Sequence, residues 1–268
     1  VKEDITERKR LQWEVDARNR ELAHAQALAA MGQMSTMLAH DLRNPLSSVK
    51  MAVQILGKQA ASEEAQELAK IGQEQVRYME DIINDMLTYS RPGGLKTGWI
   101  SPDKLLAAVI GTVRRRILEY GVEVGTDCEP GLPTFPGDAS KLRQLLSNLV
   151  VNAFLAVAER PEGDRQVQVR AGLVFGAEGR SIRFRVCDNG PGIDPALRDR
   201  LFEPFFTTRT RGTGLGLAIV QQLAGLHGGA VELTANRPTG TCAVLTLPLV
   251  PVGDMPQQWQ PVDKEVAM

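Results

Sequence analysis

Apolar residues recur every three or four positions through the first third of the chain and at alternate positions in several later runs. Leu38, Leu42, Leu46 (or Pro45), Val49, Val53 and Leu56 form one stripe and predict a helix over residues 28–57. A break is expected from Gly57 to Ser62. A second helix fits residues 63–89, with Leu68, Ile71, Met79, Ile82 and Met86 on one side, and Arg91-Pro92-Gly93-Gly94 ends it. Two amphipathic helices of this length cannot bury their stripes alone. An antiparallel hairpin that pairs with a second copy makes a four-helix bundle, so a homodimer is expected. Ahead of the hairpin, residues 1–27 carry dense charge of both signs around Leu11, Val15 and Leu22, the pattern of a coiled coil with a weak seam.

After Gly98 the pattern changes. Ser101-Pro102 reads as an N-cap and first helical position, opening a helix to about Tyr120. Further helices fit residues 138–159 and Leu215–Leu226. Strands fit Gln166–Val174, Ser181–Cys187, Ala230–Thr234 and Cys242–Leu247. The mixture predicts an α+β chain whose second part is a mixed sheet covered on one face by helices. Residues 251–268, rich in Pro and Gln, read as a loose tail.

Composition narrows the classes. Of 268 residues, 31 are basic and 32 acidic, so no basic excess points to nucleic acid or a membrane surface. No apolar run is long enough to span a bilayer, and no secretory signal is present, so a cytoplasmic location is expected. Cys128, Cys187 and Cys242 lie far apart without CxxC spacing and read as buried free thiols. The chain opens on Val1 rather than Met and reads as a piece of a longer protein, whose full length could be tethered to a membrane.

The first chemical signal is Met37-Leu38-Ala39-His40-Asp41-Leu42-Arg43-Asn44-Pro45-Leu46. At 100° per residue His40 falls opposite the Leu38/Leu42 stripe and faces solvent, with Asn44 one turn on. A neutral imidazole is a nucleophile near neutral pH. An adjacent carboxylate, Asp41, can hold the proton of one ring nitrogen and leave the other lone pair to attack. Pro45 removes a donor within the helix and is expected to bend it.

Four further motifs follow in order. Leu142-Arg143-Gln144-Leu145-Leu146-Ser147-Asn148-Leu149-Val150-Val151-Asn152-Ala153 puts two amides four residues apart on an apolar helix, where each needs a polar partner. An Asn oxygen suits Mg²⁺, which prefers oxygen and retains water. Asp188-Asn189-Gly190-Pro191-Gly192-Ile193 places a carboxylate at a strand end, able to accept the exocyclic amine of adenine. Leu201-Phe202-Glu203-Pro204-Phe205-Phe206-Thr207-Thr208-Arg209 has the composition of an apolar lid or anchor. Arg211-Gly212-Thr213-Gly214-Leu215-Gly216-Leu217-Ala218 opens a helix whose positive end can face phosphates. It is neither a Walker A sequence nor a Rossmann fingerprint.

His-Asp-Leu-Arg-Asn-Pro-Leu resembles the phospho-acceptor motif of dimeric sensor histidine kinases. The Asn, Asp/Gly, Phe and Gly motifs together resemble the Bergerat-type ATP site that those kinases share with gyrase, the ninety-kilodalton heat-shock chaperone and mismatch-repair ATPases. The resemblance covers about residues 28–248. It implies a helical phosphotransfer and dimerisation domain over 28–92 and an α/β-sandwich ATP-binding domain over 99–250. It makes His40 the phospho-acceptor, Asp41 its acid/base partner, and Asn44 the group that orients water for dephosphorylating a response regulator. Asn152 would ligate Mg²⁺ and Asp188 would bind the adenine amine. Gly190 and Gly192 would shape that pocket, and the Gly212–Gly216 segment, with Thr213 and Leu215, would cradle phosphates. Asn148 and Arg209 are further phosphate candidates, and Thr241 is placed to reach adenine. Many members carry Lys, His or Tyr three or four residues after the Mg²⁺ asparagine. Here those positions are Leu155 and Ala156, so that contact is absent or comes from elsewhere. Asn-Ala-Phe-Leu-Ala is more like the nitrogen-regulation branch than the osmoregulatory one. Glu3-Asp4-Ile5-Thr6-Glu7-Arg8-Lys9 resembles the exit of a PAS sensor domain, which implies an upstream sensor outside this sequence.

The implied function is ATP-dependent autophosphorylation of His40, phosphotransfer to the receiver domain of a response regulator, and phosphatase activity on that regulator. Two alternatives use the same residues: an ATP-driven conformational machine in which His40 is an ordinary surface residue, and a regulator dominated by phosphatase activity.

Overall fold

The computed structural model of the chain describes residues 42, 45–59, 62–90, 94–158, 160–176, 179–209 and 212–249. The expected coiled coil over 1–27, the tail over 251–268, and His40, Asp41 and Asn44 lie outside the described residues. The chain divides into two compact units, Val1–Pro92 and Gly93–Met268.

The first unit is a helical hairpin. Helix α1 covers residues 45–59 and α2 covers Glu63–Ser90. The Ser62 hydroxyl accepts the Ala65 N–H at 3.2 Å, and Glu63 and Glu64 sit at the positive end of α2. The helices run antiparallel: Lys50 pairs with Glu80 at 2.8 Å, and Val53 lies against Gly72. A Cβ at Gly72 would come within 3.0 Å of Val53, and one at Gly57 within 3.0 Å of Ala69, so small residues set the close approach of the helices. Leu46, Val76 and Ile83 form the core, with Leu87 packed on it.

The predicted stripes are only partly the buried ones. On α2 the inward positions are Ala69, Val76 and Ile83, seven residues apart, whereas Leu68, Ile71 and Met79 are exposed. On α1 Leu46 turns inward, whereas Val49 and Leu56 are exposed, as is Leu42 ahead of it in sequence. Apolar residues cover more of each helix than one contact can bury, and only the small-residue seam lets the two backbones meet.

The second unit is an α/β sandwich. Its strands are β1 (Gly98–Ile100), β2 (Glu123–Cys128), β3 (Phe135–Gly137), β4 (Gln166–Gly176), β5 (Gly179–Asp188), β6 (Ala230–Ala235) and β7 (Thr241–Pro248). Its helices are α3 (Pro102–Tyr120), α4 (Ala139–Val157) and α5 (Gly216–Leu226). The main sheet has the order β2-β4-β5-β7-β6, with β2 parallel to β4 and the other neighbours antiparallel. Strands β1 and β3 form a separate ribbon. Val167, Val169, Ile182, Phe184, Val186, Leu245 and Leu247 are buried under the helices, while Gln168, Arg170, Arg183 and Arg185 are exposed on the other face. This alternation matches one covered sheet face.

The helix ends are chemically specified. Gly121, at φ 56, ends α3 in the left-handed conformation, and the Val122 N–H bonds to the Ile117 carbonyl. Asp138 caps α4, its Oδ1 accepting the N–H groups of Ser140 and Lys141. The Oδ2 of Asp138 accepts the Lys96 N–H, and its own N–H donates to Nε2 of the buried His227. The His227 Nδ1 donates in turn to the Leu223 carbonyl, so one imidazole joins the start of α4 to the end of α5.

One expectation is overturned. Cys187 and Cys242 are joined by a disulfide, so only Cys128 is a free thiol. The two cysteines are 55 residues apart in sequence, but the β5–β7 register sets them directly opposite each other. Sequence spacing carries no trace of such a pair.

Candidate functional site

Strand β5 ends at Asp188, on the helix-covered face, where the carboxylate is 5% exposed. Its Oδ1 accepts two backbone N–H groups, Gly190 at 2.9 Å and Thr241 at 3.1 Å. Among the described residues nothing donates to Oδ2. Burial pushes the Asp188 carboxyl above the ordinary carboxylate value, against the opposing pull of the two N–H groups and the Arg209 charge. Asp188 is thus a fixed acceptor with one oxygen committed and one available.

Glycines make the turn possible. A Cβ at Gly190 would lie 2.9 Å from both the Ala156 carbonyl and the Asp188 carboxylate. Gly192, at φ 86, lies against the Gly240 backbone. Asn189 anchors the turn from outside: its Oδ1 accepts the Gln166 N–H, its Nδ2 donates to the Asp164 carbonyl, and its carbonyl accepts from Arg160.

On α4, Asn148 and Asn152 are one turn apart and half-buried. The Asn148 Nδ2 is a buried donor without a partner among the described residues, a costly state unless a ligand completes it. The Arg209 guanidinium donates to Asn152 twice, to Oδ1 at 3.3 Å and to the carbonyl at 3.2 Å. Gly216, the first residue of α5, approaches the same side chain: a Cβ there would lie 4.0 Å from Asn152 Nδ2. Asn152, Arg209 and the positive end of α5 therefore meet at one place, and the Arg209 charge is felt at Asp188.

The loop between them is tightly folded. Phe205 donates its N–H to the Gly214 carbonyl at 3.0 Å and adopts φ 65, uncommon for a bulky residue. A Cβ at Gly214 would come 2.4 Å from the Phe205 carbonyl carbon, and one at Gly212 would strike the Thr207 hydroxyl. These glycines are required by the loop's own packing. Thr213 Oγ1 accepts the Leu215 N–H, and Leu215 is 1% exposed, so its side chain anchors the loop in the core. Arg200 stacks over Phe206, 4.3 Å from the ring centroid.

The structure brings Asp188, Gly190, Gly192 and Thr241 together, and Asn152, Arg209 and Gly216 together. It adds Asn189, which lies within the Asp188–Ile193 motif but carries no expected role, and two residues that no motif marks, Arg160 and Asn236; the Asn236 Nδ2 donates to the Asp188 main-chain carbonyl. Their partners lie far off in sequence, and only the Asn and Gly content of the turns hints at them.

A single neutral oxygen, Asn152 Oδ1, is of the type that a hard divalent cation takes as one ligand among waters and other oxygens. Asn152 Oδ1 already faces a cationic group, and no cluster of three acidic, His or Cys side chains exists among the described residues to hold a metal unaided.

Residues 137–251 match the family described as histidine kinase-, DNA gyrase B-, and HSP90-like ATPase, and residues 30–94 match the His Kinase A (phospho-acceptor) domain. The chain is 30% identical over 251 residues to the signal transduction histidine-protein kinase AtoS of Escherichia coli (strain K12), covering 94% of this chain and 39% of that protein. It is 33% identical over 221 residues to the sensory histidine kinase/phosphatase NtrB of Klebsiella oxytoca, covering 80% of this chain and 61% of that one. Among solved structures, full-length ShkA in complex with AMPPNP superposes with a TM-score of 0.67 at 28% identity, covering 81% of this chain and 46% of that chain. The chain thus spans less than two thirds of the length of these relatives. With both domain types matched in order along one sequence, the chain belongs to the histidine kinases.

Proposed function

We propose that this chain is the core of a two-component sensor kinase, which binds ATP in its second unit and phosphorylates His40. The observation that carries the nucleotide half is Asp188, fixed through Oδ1 and open at Oδ2. A buried ionised carboxylate can only accept, so it favours the amine of adenine over the carbonyl that guanine carries at that position. The orphaned Asn148 donor and the unpaired start of α5 offer contacts to an anion. Arg209 supplies the cationic group that Leu155 and Ala156 do not.

Asn152 would hold Mg²⁺, which when bound neutralises charge on the phosphate oxygens. His40 attacks the γ-phosphorus through the lone pair of one ring nitrogen. The N–P bond forms as the bond to the bridging oxygen breaks, and ADP leaves with that electron pair. Asp41 takes the proton from the other ring nitrogen and so keeps the phosphorylated ring neutral. The phosphoryl group then passes to an aspartate of a receiver domain. Asn44 orients water in a separate phosphatase reaction, in which water attacks the receiver's phosphoaspartate and releases inorganic phosphate and the free carboxylate; the printed name of NtrB includes phosphatase.

A homodimer completes the hairpin. Leu56 and Leu68 are 64% and 68% exposed, and Val49, Met51 and Ile55 are also uncovered, an apolar surface too large for a lone hairpin in water. The upstream sensor and a cytoplasmic site of action belong to the same reading. No helix among the described residues is long and apolar enough to cross a membrane.

The test is incubation with γ-labelled ATP. Acid-labile, alkali-stable label that disappears in His40→Ala supports the proposal. Label that persists in that variant overturns it.

A further inference from the structure

Asp188 is held mainly from the β6–β7 turn. The Thr241 N–H, at the far end of that turn, binds its Oδ1. The Asn236 side chain, at the near end, donates Nδ2–H to its main-chain carbonyl at 2.8 Å. The turn is itself closed by the Asn236 N–H on the Gly240 carbonyl at 2.9 Å. Gly240, at φ 119, is pressed so close that a Cβ would lie 2.0 Å from the Asp188 carbonyl oxygen. The Oδ1 and the main-chain carbonyl of Asp188 are therefore both held by one six-residue turn, and among the described residues Asn236 supplies the one side-chain donor to them. Asn236 also lines a cleft of about 230 Å³ together with Gly192, Ile193 and Thr241.

We infer that Asn236 is a positioning residue for base recognition: its amide locks the Asp188 backbone so that Oδ2 stays aimed at the adenine amine. The inference rests on the reading that Asp188 accepts that amine. The physical reason is leverage. A carboxylate has two soft torsions, and Oδ1 alone leaves the strand end able to pivot. Fixing the main-chain carbonyl of the same residue removes that pivot. Without the Asn236 donor, the Asp188 carbonyl is left buried and unpaired, and the peptide can turn to find another donor. The carboxylate turns with it.

The experiment compares two ligands in the full chain: ATP, and the triphosphate of purine riboside, which lacks the 6-amino group. Dissociation constants are measured by calorimetry for the unaltered chain, Asn236→Ala and Asn236→Asp. The Asp variant keeps the size of the side chain and removes the donor, and thermal melting checks folding of both. ATP binding is expected to weaken about tenfold in both variants, the size of one hydrogen bond to a charged group. Binding of the analogue is expected to change by less than about twofold, since it has no amine to misalign. Equal losses for both nucleotides would mean that Asn236 merely supports the fold, and would overturn the inference. Unchanged binding of both would overturn it as well. If the unaltered chain binds the two nucleotides equally, the adenine reading of Asp188 is itself wrong and the inference falls with it.

Discussion

The two units bury their apolar residues on different terms. In the α/β unit the core closes on itself: Val109, Leu142, Phe154, Phe184 and Leu245 are all 0% exposed. In the hairpin the core is a single strip around Leu46, Val76 and Ile83, and large apolar side chains remain in water. The first pattern is that of a domain able to fold alone, and the second is that of half an interface. The chemistry divides in the same way. The family matches lie on the same two sides: the ATPase family matches within the closed unit, at 137–251, and the phospho-acceptor domain matches over 30–94, the open one.

The largest effect that would break this comparison is a core deletion in the closed unit. Phe154→Ala leaves a cavity beneath α4 and is expected to cost about 3–5 kcal/mol, read by denaturant unfolding, with ATP binding lost in parallel. The matching change in the hairpin, Leu68→Ala, is expected to leave the unfolding midpoint of the α/β unit in place and to shift only the monomer–dimer balance. Loss of that midpoint in Leu68→Ala would mean that the units are not energetically separate.

Asp188→Asn removes a charge-assisted acceptor while keeping the size of the side chain. ATP affinity is expected to fall on the order of tenfold to a hundredfold by calorimetry. Stability is expected to change by less than about 1 kcal/mol, because the lost charge was itself penalised by burial. The same burial predicts a pH dependence. The Asp188 carboxyl titrates above the ordinary carboxylate value. As pH falls through that raised value the carboxylate gains a proton and ATP binding weakens. Stability moves the other way in that window: the native state holds a proton that the unfolded chain has released, so stability falls as pH rises through it.

Sharpening the dimer half, Leu56→Glu is expected to weaken self-association at least about tenfold in sedimentation equilibrium, with helix content of the hairpin retained. The smallest effect concerns His227. Burial holds its imidazole below the ordinary histidine value, and Nε2 must stay unprotonated to accept from Asp138. Its contribution to stability is present above the unfolded value of about 6.5 and is lost as pH falls below it towards the native value. Melting curves of His227→Gln across that range are expected to lose most of this acid sensitivity. A slope identical to that of the unaltered chain would show that another group is responsible.

What the sequence revealed follows a physical divide. Long amphipathic elements were legible: the helix expected over 138–159 is Ala139–Val157, and the one expected from Pro102 to about Tyr120 has those ends. The Asn, Asp/Gly and Gly motifs could be named because each is local. Strand β2, Glu-Val-Gly-Thr-Asp-Cys, was not legible, because this sheet-edge strand is largely exposed and its partner β4 lies a helix away. The ribbon of β1 and β3 is three residues wide and contains Pro136. The contact between the two hairpin helices was not legible, because small residues such as Gly57, Ala69 and Gly72, not the apolar stripes, set it. The Cys187–Cys242 bond and the Asn236 brace depend on register between strands, which no spacing rule encodes.

The most direct test of the account is to map the phosphorylated residue after incubation with ATP, by fragmentation mass spectrometry kept at alkaline pH. The account predicts one phosphoryl group on His40, absent after the Asp188→Asn substitution at ATP concentrations that saturate the unaltered chain only. A phosphoryl group on another residue, or on His40 to the same extent in Asp188→Asn, would contradict it.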